Sequence, residues 1–522
     1  MSDRSKDDYS AFTVFAFVFA LAQLFEHSYG VATFFDYSSK VQNISKLLSV
    51  LLCFSAVWVM LKPSSLYRSI LLYVVIVIRT IDALPRSPNH VVFQAIVLIS
   101  ILTCFIYLKV KDKNNFSKTN FYENFAPLVR IEIVLLYFWA VVHKFNTGFF
   151  DQDISCATLQ LFNIKDALPV LPTPDLFIAI NPYFTLLTES LIPILLIIPR
   201  TRVIGLAVAL LFHFILGFKY TGFTILVYAL LCLFIPNTSF DRINLNFKRL
   251  VSKIPNIFSK ITDVIRLKNN RIIDYFLQII FLLLIIFLMG FFMRVNTKNY
   301  YSLSEDGLYV LVSLVLFTSF LYFIVFKLKQ INLNRKIKLI PDIKWLMIFP
   351  IIIFLNGLLP HLGVKNVQVM AMFSNLRISE GKTNHLLIPS SFQIFNNLSD
   401  TVIIRGANIR SLNQFSGYSS NKPIKGTQVM LPRSYRKYMK QNKKEYTKRF
   451  EYKIPYILLQ NLITGLVKQG HQNITLEYER GGKYIYTRNA ELKPQLSNAS
   501  ILQIKLLHQR AVPDYERGLC MW

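Results

Sequence analysis

Long apolar runs recur along this chain and constrain its fold more than any other feature. At about 1.5 Å of rise per helical residue, runs of about 15–22 residues match the roughly 30 Å thickness of a bilayer's hydrocarbon. Eleven such runs read as spans, at 11–25, 47–61, 66–84, 91–108, 126–147, 176–198, 203–218, 221–236, 272–293, 308–326 and 345–362. The two short runs at 203–218 and 221–236 read equally well as one hairpin dipping into the membrane. Of 522 residues, 53% are hydrophobic, and the 44 Phe and 26 Tyr pile up in these runs. That composition excludes a soluble globular, disordered, collagen-like or disulfide-scaffold chain. The sequence predicts a polytopic α-helical membrane protein of about eleven spans.

Charge orients it. The 58 basic residues outnumber the 29 acidic ones, a net charge of +29 that in a soluble protein would suggest nucleic acid. Here the excess gathers in loops. Residues 109–125 carry Lys109, Lys111, Lys113 and Lys118, and the loops at 237–271 and 327–344 are also strongly basic. Residues 145–175 are acidic instead, with Asp151, Asp153, Asp166 and Asp175 against Lys165. By the positive-inside rule the N-terminus is cytoplasmic and the C-terminal region outside, and no nucleic-acid partner is expected. The first run also admits a signal-peptide reading through Ala20-Leu21-Ala22. Its leading segment opposes that reading, with Asp3, Asp7 and Asp8 against Arg4 and Lys6.

Composition changes after about residue 363. No spanning run follows, and strand-like alternation marks 401–405, 474–478 and 501–505, separated by turn signals at Gly481-Gly482 and Lys493-Pro494. Two domains are predicted: a transmembrane domain at 1–362 and an extramembrane β-rich domain at 363–522. The basic stretch 433–449 reads as an amphipathic helix on anionic lipid or as a dock for an acidic partner.

Ionisable residues inside apolar spans cost about 2.5–3.5 kcal/mol each on insertion scales, so each needs a partner or a task. Arg79 and Asp82 stand i, i+3 on one helical face near the outer end of the third span, where a structural ion pair and a substrate-binding role both fit. Asn89-His90 opens the fourth span on the same side. Arg130 and Glu132 lie near the inner end of the fifth, where they can snorkel. The densest signal is the run 136–151, which contains His143-Lys144. Adjacent helical residues project about 100° apart, so both can line one cavity. A lysine desolvated by aromatic neighbours can act as a base near neutral pH; the other reading is a lysine snorkelling from a helix end. His213, alone in an apolar run, reads as a core histidine or as the single membrane histidine of an O-acyltransferase. Cys53, Cys104 and Cys232 lie in spans and read as packing residues, leaving Cys156 and Cys520 as the two that can face water.

Missing motifs narrow the chemistry. The eight histidines never fall within four residues of one another, which removes desaturase histidine boxes and the HExxH zinc motif. Neither a Walker A loop nor a GxSxG elbow occurs. No metal is expected.

Tyr137-Phe138-Trp139-Ala140-Val141-Val142-His143-Lys144-Phe145-Asn146, with Phe149-Phe150-Asp151 and Ser155-Cys156-Ala157, resembles the core of the HTTM family. This is the membrane domain shared with vitamin K-dependent gamma-carboxylase. Pro85, Pro88-Asn89-His90, Met372-Phe373-Ser374-Asn375-Leu376-Arg377 and Asn384-His385 are similar to bacterial members. Val141, His143 and Asn146 stand where that enzyme carries Gly, Lys and Asp. The resemblance implies a membrane enzyme, a carboxylase or quinol epoxidase, in which Lys144 deprotonates a quinol (vitamin K hydroquinone or menaquinol). The quinol then reacts with O2, and a carbanion formed on a small-molecule or peptide substrate can trap CO2. Lys144, His143 and His90 are the expected catalytic residues. Arg79, Asp82, Asn89, Asn146 and His213 are the expected substrate or quinone contacts.

Two other readings stay open: an acyltransferase using His213, and a non-catalytic lipid-binding or transport protein. Internal repeats that would favour a transporter are absent. With Cys156 and Cys520 both expected outside, an oxidising compartment favours a disulfide between them. The expected location is a bacterial inner membrane, or the ER membrane in a eukaryote, with the C-terminal region periplasmic or lumenal.

Overall fold

The computed structural model describes residues 10–34, 43–111, 113, 116–167, 169–217, 221–235, 337–413, 415, 432–442, 452–513 and 520. The predicted spans 272–293 and 308–326, the loop 237–271, most of 327–344 and residues 443–449 lie outside the described residues. The chain divides into two compact units. The first comprises Met1–Asp82, Ala95–Ile133 and Ile192–Phe349, and the second Ala83–Gln94, Val134–Leu191 and Pro350–Trp522.

The chain is mostly helical. In order come α1 (Ser10–Phe34), α2 (Asn43–Leu61), α3 (Leu66–Ala83), α4 (Asn89–Lys111), α5 (Lys118–Val142), α6 (Thr147–Phe150), α7 (Cys156–Ala167) and α8 (Asp175–Ile197). Then follow α9 (Arg202–Gly217), α10 (Thr221–Leu231) and α11 (Ile348–Leu358). By length and composition, four described segments can cross a membrane: Ile44–Leu61, Asn89–Lys111, Lys118–Val142 and Asp175–Ile197. The expectation of eleven spans is therefore corrected for the described residues. Several apolar runs fold as helices too short to cross alone. Arg202–Gly217 has 16 residues, about 24 Å of helix against about 30 Å of hydrocarbon. α3 has 18 residues but carries Arg68, Arg79 and Asp82.

In the first unit α1 packs on α2 and α10. Phe12, Phe15, Phe121 and Phe125 form a buried aromatic cluster, with the Phe121 and Phe125 rings 4.8 Å apart. Pro63 helps end α2, and Arg68 closes the turn into α3: its guanidinium lies 4.9 Å from the Trp58 ring and donates to Trp58 O at 2.8 Å. Arg130 and Glu132 do not snorkel. The Arg130 side chain donates to Leu233 O and Lys338 O, each at 2.7 Å. Glu132 is buried and accepts from Ser100 Oγ at 3.3 Å. The carbonyl of Leu233, in a closing 3-10 turn, needed a donor, and this arginine supplies it.

The second unit reaches well beyond residues after 363, because it also contains 83–94 and 134–191. Its strands are β1 (Ile378–Ser379), β2 (Lys382–Thr383), β3 (Thr401–Ala407), β4 (Tyr452–Pro455), β5 (Leu476–Arg480), β6 (Lys483–Thr487) and β7 (Val512–Pro513). β1 and β2 pair as a hairpin, and the rest form an antiparallel sheet of order β6-β5-β3-β4-β7. Helices α12 (Arg433–Gln441), α13 (Tyr456–Lys468) and α14 (Ile501–Leu506) lie in the same region. Val402, Ile404, Ile454, Leu476 and Tyr478 alternate inward from the sheet and share a core with Leu459, Ile463 and Leu466 of α13.

Two local expectations change. Residues 501–505 are helical, because Ser500 caps α14 by accepting from Gln503 N at 3.1 Å; five residues fit both periodicities. The described part of the basic stretch, α12, is packed rather than laid on lipid along its apolar face. Tyr435 and Met439 are buried with Phe162 of α7.

Candidate active site

The end of α5 and the segment after it hold the site. Lys144 is 2% exposed and His143 and Asn146 are fully buried. The Lys144 ammonium donates to Ala140 O at 3.1 Å and to Met372 O at 3.2 Å. Its third neighbour is the Glu189 carboxylate of α8, with Nζ 2.7 Å from Oε2. That approach is short but falls outside hydrogen-bond angles, so it is an ion pair rather than a hydrogen bond. An ammonium so held is compensated despite its burial. In this arrangement Glu189 is also the proton acceptor nearest to Lys144.

An asparagine clamp fixes this segment. Asn146 Nδ2 donates to His143 O at 2.7 Å and Ser374 O at 2.5 Å. Its Oδ1 caps α6 through Phe149 N at 2.9 Å and accepts from Asn384 Nδ2 at 3.1 Å. Asn375 grips the start of α7, accepting from Cys156 N at 2.6 Å and donating to Ile154 O at 2.9 Å. Asn146 is thus engaged by the protein at both ends of its amide and acts as a positioning residue for Lys144. The facing loop is strained. Gln368, Met370, Phe373 and Asn375 have φ of 60°, 61°, 49° and 56°, in the left-handed region. Gln368 anchors it by donating to Pro85 O at 2.8 Å and Ser87 O at 3.0 Å. This brings the Pro85 segment, which leads into Asn89 and His90 at the start of α4, onto the loop that contacts Lys144.

From Trp139 and His143 runs a chain of ring contacts, stacked at its start and edge-on at its end. Trp139 lies 5.1 Å from His143, His143 lies 5.3 Å from His361, and His361 lies 4.9 Å from His385. Gly357 permits it, since a Cβ there would collide with the Trp139 indole. His385 Nδ1 accepts from Leu387 N at 3.0 Å and Ile388 N at 2.9 Å, so its Nε2–H donates to Val142 O at 2.8 Å. The tautomer follows from these partners. Burial lowers the His385 imidazole below its ordinary value, and the bond to Val142 offsets this only in part. His385 is a neutral latch. His143 donates Nε2–H to Gly357 O at 2.9 Å, which leaves Nδ1 as an acceptor. That Nδ1 is buried without a hydrogen-bond partner. Trp139 Nε1 and His361 Nε2 are likewise buried without a hydrogen-bond partner.

No family model, curated protein or solved structure matches the chain. The chemistry must therefore be read from the site itself.

The structure brings Lys144, His143 and Asn146 together and adds Glu189, His361, Met372 and His385. Asn89 and His90 belong to the same unit, and Asn89 Oδ1 is buried without a hydrogen-bond partner. Arg79, Asp82 and His213 belong to the first unit and have partners of their own. Arg79 pairs with Asp82 at 3.5 Å and donates to Ser49 Oγ at 3.2 Å, while Ser45 Oγ donates to Asp82 at 2.5 Å. His213 packs between Phe212 and Phe223, with centroids at 5.3 and 5.5 Å. Among the described residues no group of three His, Cys, Asp or Glu side chains could hold a metal ion. Cys156 and Cys520 form the expected disulfide inside a buried cluster with Phe149, Phe162 and Tyr435. Cys53, Cys104 and Cys232 are free and buried. Sequence reasoning missed Glu189, although it is the sole acidic residue in the predicted span 176–198 and the cost of burying charge singles it out.

Proposed function

We propose that the chain is an integral membrane enzyme similar to vitamin K-dependent gamma-carboxylase, in which Lys144 and Glu189 together form the base that deprotonates a quinol. The observation that carries this reading is the ion pair of Glu189 with the buried Lys144, a residue of the segment that carries the family resemblance.

A quinol suits the orphaned polar atoms of Trp139 and His143, which neighbour Lys144 along the chain. A quinol ring presents hydroxyls that both donate and accept, on a flat aromatic body. Trp139 N–H can donate to such an oxygen and His143 Nδ1 can accept from one, and the Trp139 and Phe354 rings, 5.3 Å apart, supply apolar surface. Bound quinol supplies, with O2, the oxygenation chemistry that ends in an epoxide and, where CO2 and a carbon acid are present, in carboxylation. The chain's own contribution is the proton. Glu189 takes the proton of the Lys144 ammonium, and the resulting amine takes the proton of a ring hydroxyl. Asn146, Asn375 and Asn384 hold the lysine in place, and the packed rings keep water from the amine.

Purified protein in lipid nanodiscs, given menaquinol or vitamin K quinol with O2, is expected to consume quinol and yield epoxide by mass spectrometry. The double variant Lys144→Met/Glu189→Leu, which removes the base without stranding a charge, is expected to yield none. No turnover of either quinol by the wild type would overturn the reading. An acyltransferase centred on His213 or a lipid-binding protein would then take its place.

A further inference from the structure

We propose that residues 386–395 form a loop inserted into the bilayer surface, its partner being the acyl-chain and headgroup boundary of the membrane that the apolar helices cross. This stands independently of the proposed reaction.

The loop reads Leu-Leu-Ile-Pro-Ser-Ser-Phe-Gln-Ile-Phe, with no charged residue in ten positions of a chain that is 17% charged. Five of its large apolar side chains are exposed: Leu386, Leu387, Phe392, Ile394 and Phe395, with Leu387 at 66% and Ile394 at 71%. So dense a cluster on an extramembrane segment is not ordinary surface apolarity.

Both ends of the loop are pinned where apolar helices end. Leu386 N donates to Phe145 O at 2.8 Å, three residues past α5. Phe395 N donates to Leu362 O at 3.0 Å, four residues past α11. Gly363, at φ +78°, permits the second junction, because a Cβ there would collide with Phe395 O. The ends of α5 and α11 meet through the bond from His143 to Gly357 and the contact of Trp139 with Phe354. α11 itself exposes Ile348, Ile351, Ile352 and Leu355. The loop therefore continues an apolar band that runs along α11 to the end of α5, the helix of the two that is long enough to cross the hydrocarbon. A bilayer is the partner that covers such a band, and burying each large apolar side chain in it is favourable.

Spin labels on Leu387→Cys, Ile394→Cys and, as an aqueous reference, the exposed Lys483→Cys of β6 test this in nanodiscs. The unsubstituted chain is the blank, since its described free thiols are buried. Labels at 387 and 394 are expected to collide readily with dissolved oxygen and to be protected from a water-soluble nickel chelate, the reverse of 483. Nickel accessibility at 387 and 394 equal to that at 483 would overturn the proposal. So would protection from both oxygen and nickel, which would mean that protein covers the loop. Cysteine adds no charge to the loop. If one variant fails to fold, the other still decides.

Discussion

Lys144 has little room to vary because its charge is balanced by one carboxylate. Removing only one partner strands the other in a buried site, at a cost of about 3–5 kcal/mol, whereas apolar replacement of both is near neutral or stabilising. Lys144→Met and Glu189→Gln are each expected to lower the unfolding midpoint in detergent, and Lys144→Met/Glu189→Leu to recover most of the loss. A double-mutant cycle by thermal melting measures the coupling, and additive single effects would show that the 2.7 Å contact carries no energy. Half of this site was legible in the sequence. His143, Lys144 and Asn146 are contiguous, so local composition marks them. Glu189 and His361 come from other elements, and the geometry that joins them to Lys144 is tertiary. The same separation hid the division of labour among histidines. Only the bonds from Leu387 N and Ile388 N to His385 Nδ1 reveal that His385 is locked while His143 keeps an open acceptor.

Elements were legible where one period dominates. β3 and β5 alternate cleanly and fold as strands, while 501–505 is too short for period to decide and a serine cap does. Among the described residues span prediction overcounted because apolarity reports burial from water, in lipid or in protein, and α9 and α10 are too short to cross alone. α12 shows what a charge pattern omits. The Asp166 carboxylate of α7 accepts from Arg433 N at 2.6 Å and Ser434 N at 3.0 Å, capping the helix from outside its own sequence. Asp166→Ala is expected to cost about 1 kcal/mol, read as faster amide exchange across 433–441. Normal protection there would mean that packing of Tyr435 and Met439 suffices. The segment after α14 carries a pH dependence. Burial, with the Arg86 charge, lowers His508 from 6.5 to about 4 in the folded state. A depressed histidine favours the neutral ring, so its contribution is complete above pH 6.5 and is lost as pH falls toward about 4. His508→Gln is expected to flatten melting temperature against pH across that window, and an unchanged slope would assign the acid sensitivity to other groups.

At the scale of the whole molecule, sidedness is an expectation that can be tested without knowing the number of spans. Lysines at 109, 111 and 113 precede α5, and Lys118 opens it; α5 is long and apolar enough to cross, and the acidic stretch 145–175 follows it. A crossing α5 puts Lys113 and Cys156 on opposite faces of the membrane. Cys156 is bonded to Cys520 across 364 residues, and Asp166 caps α12. With those two links, the C-terminal region is expected on the same side as 145–175, whatever the chain does between 198 and 344. A disulfide persists in an oxidising compartment, so the expectation to be tested is that this side is the outside. A membrane-impermeant maleimide on intact cells is expected to label Lys483→Cys and to spare Lys113→Cys until the membrane is permeabilised. Labelling of Lys113→Cys alone from outside would reverse the orientation and leave the disulfide facing a reducing cytoplasm. Labelling of both from one side would mean that α5 does not cross, and the Lys144–Glu189 pair would then lie in a protein core away from any bilayer.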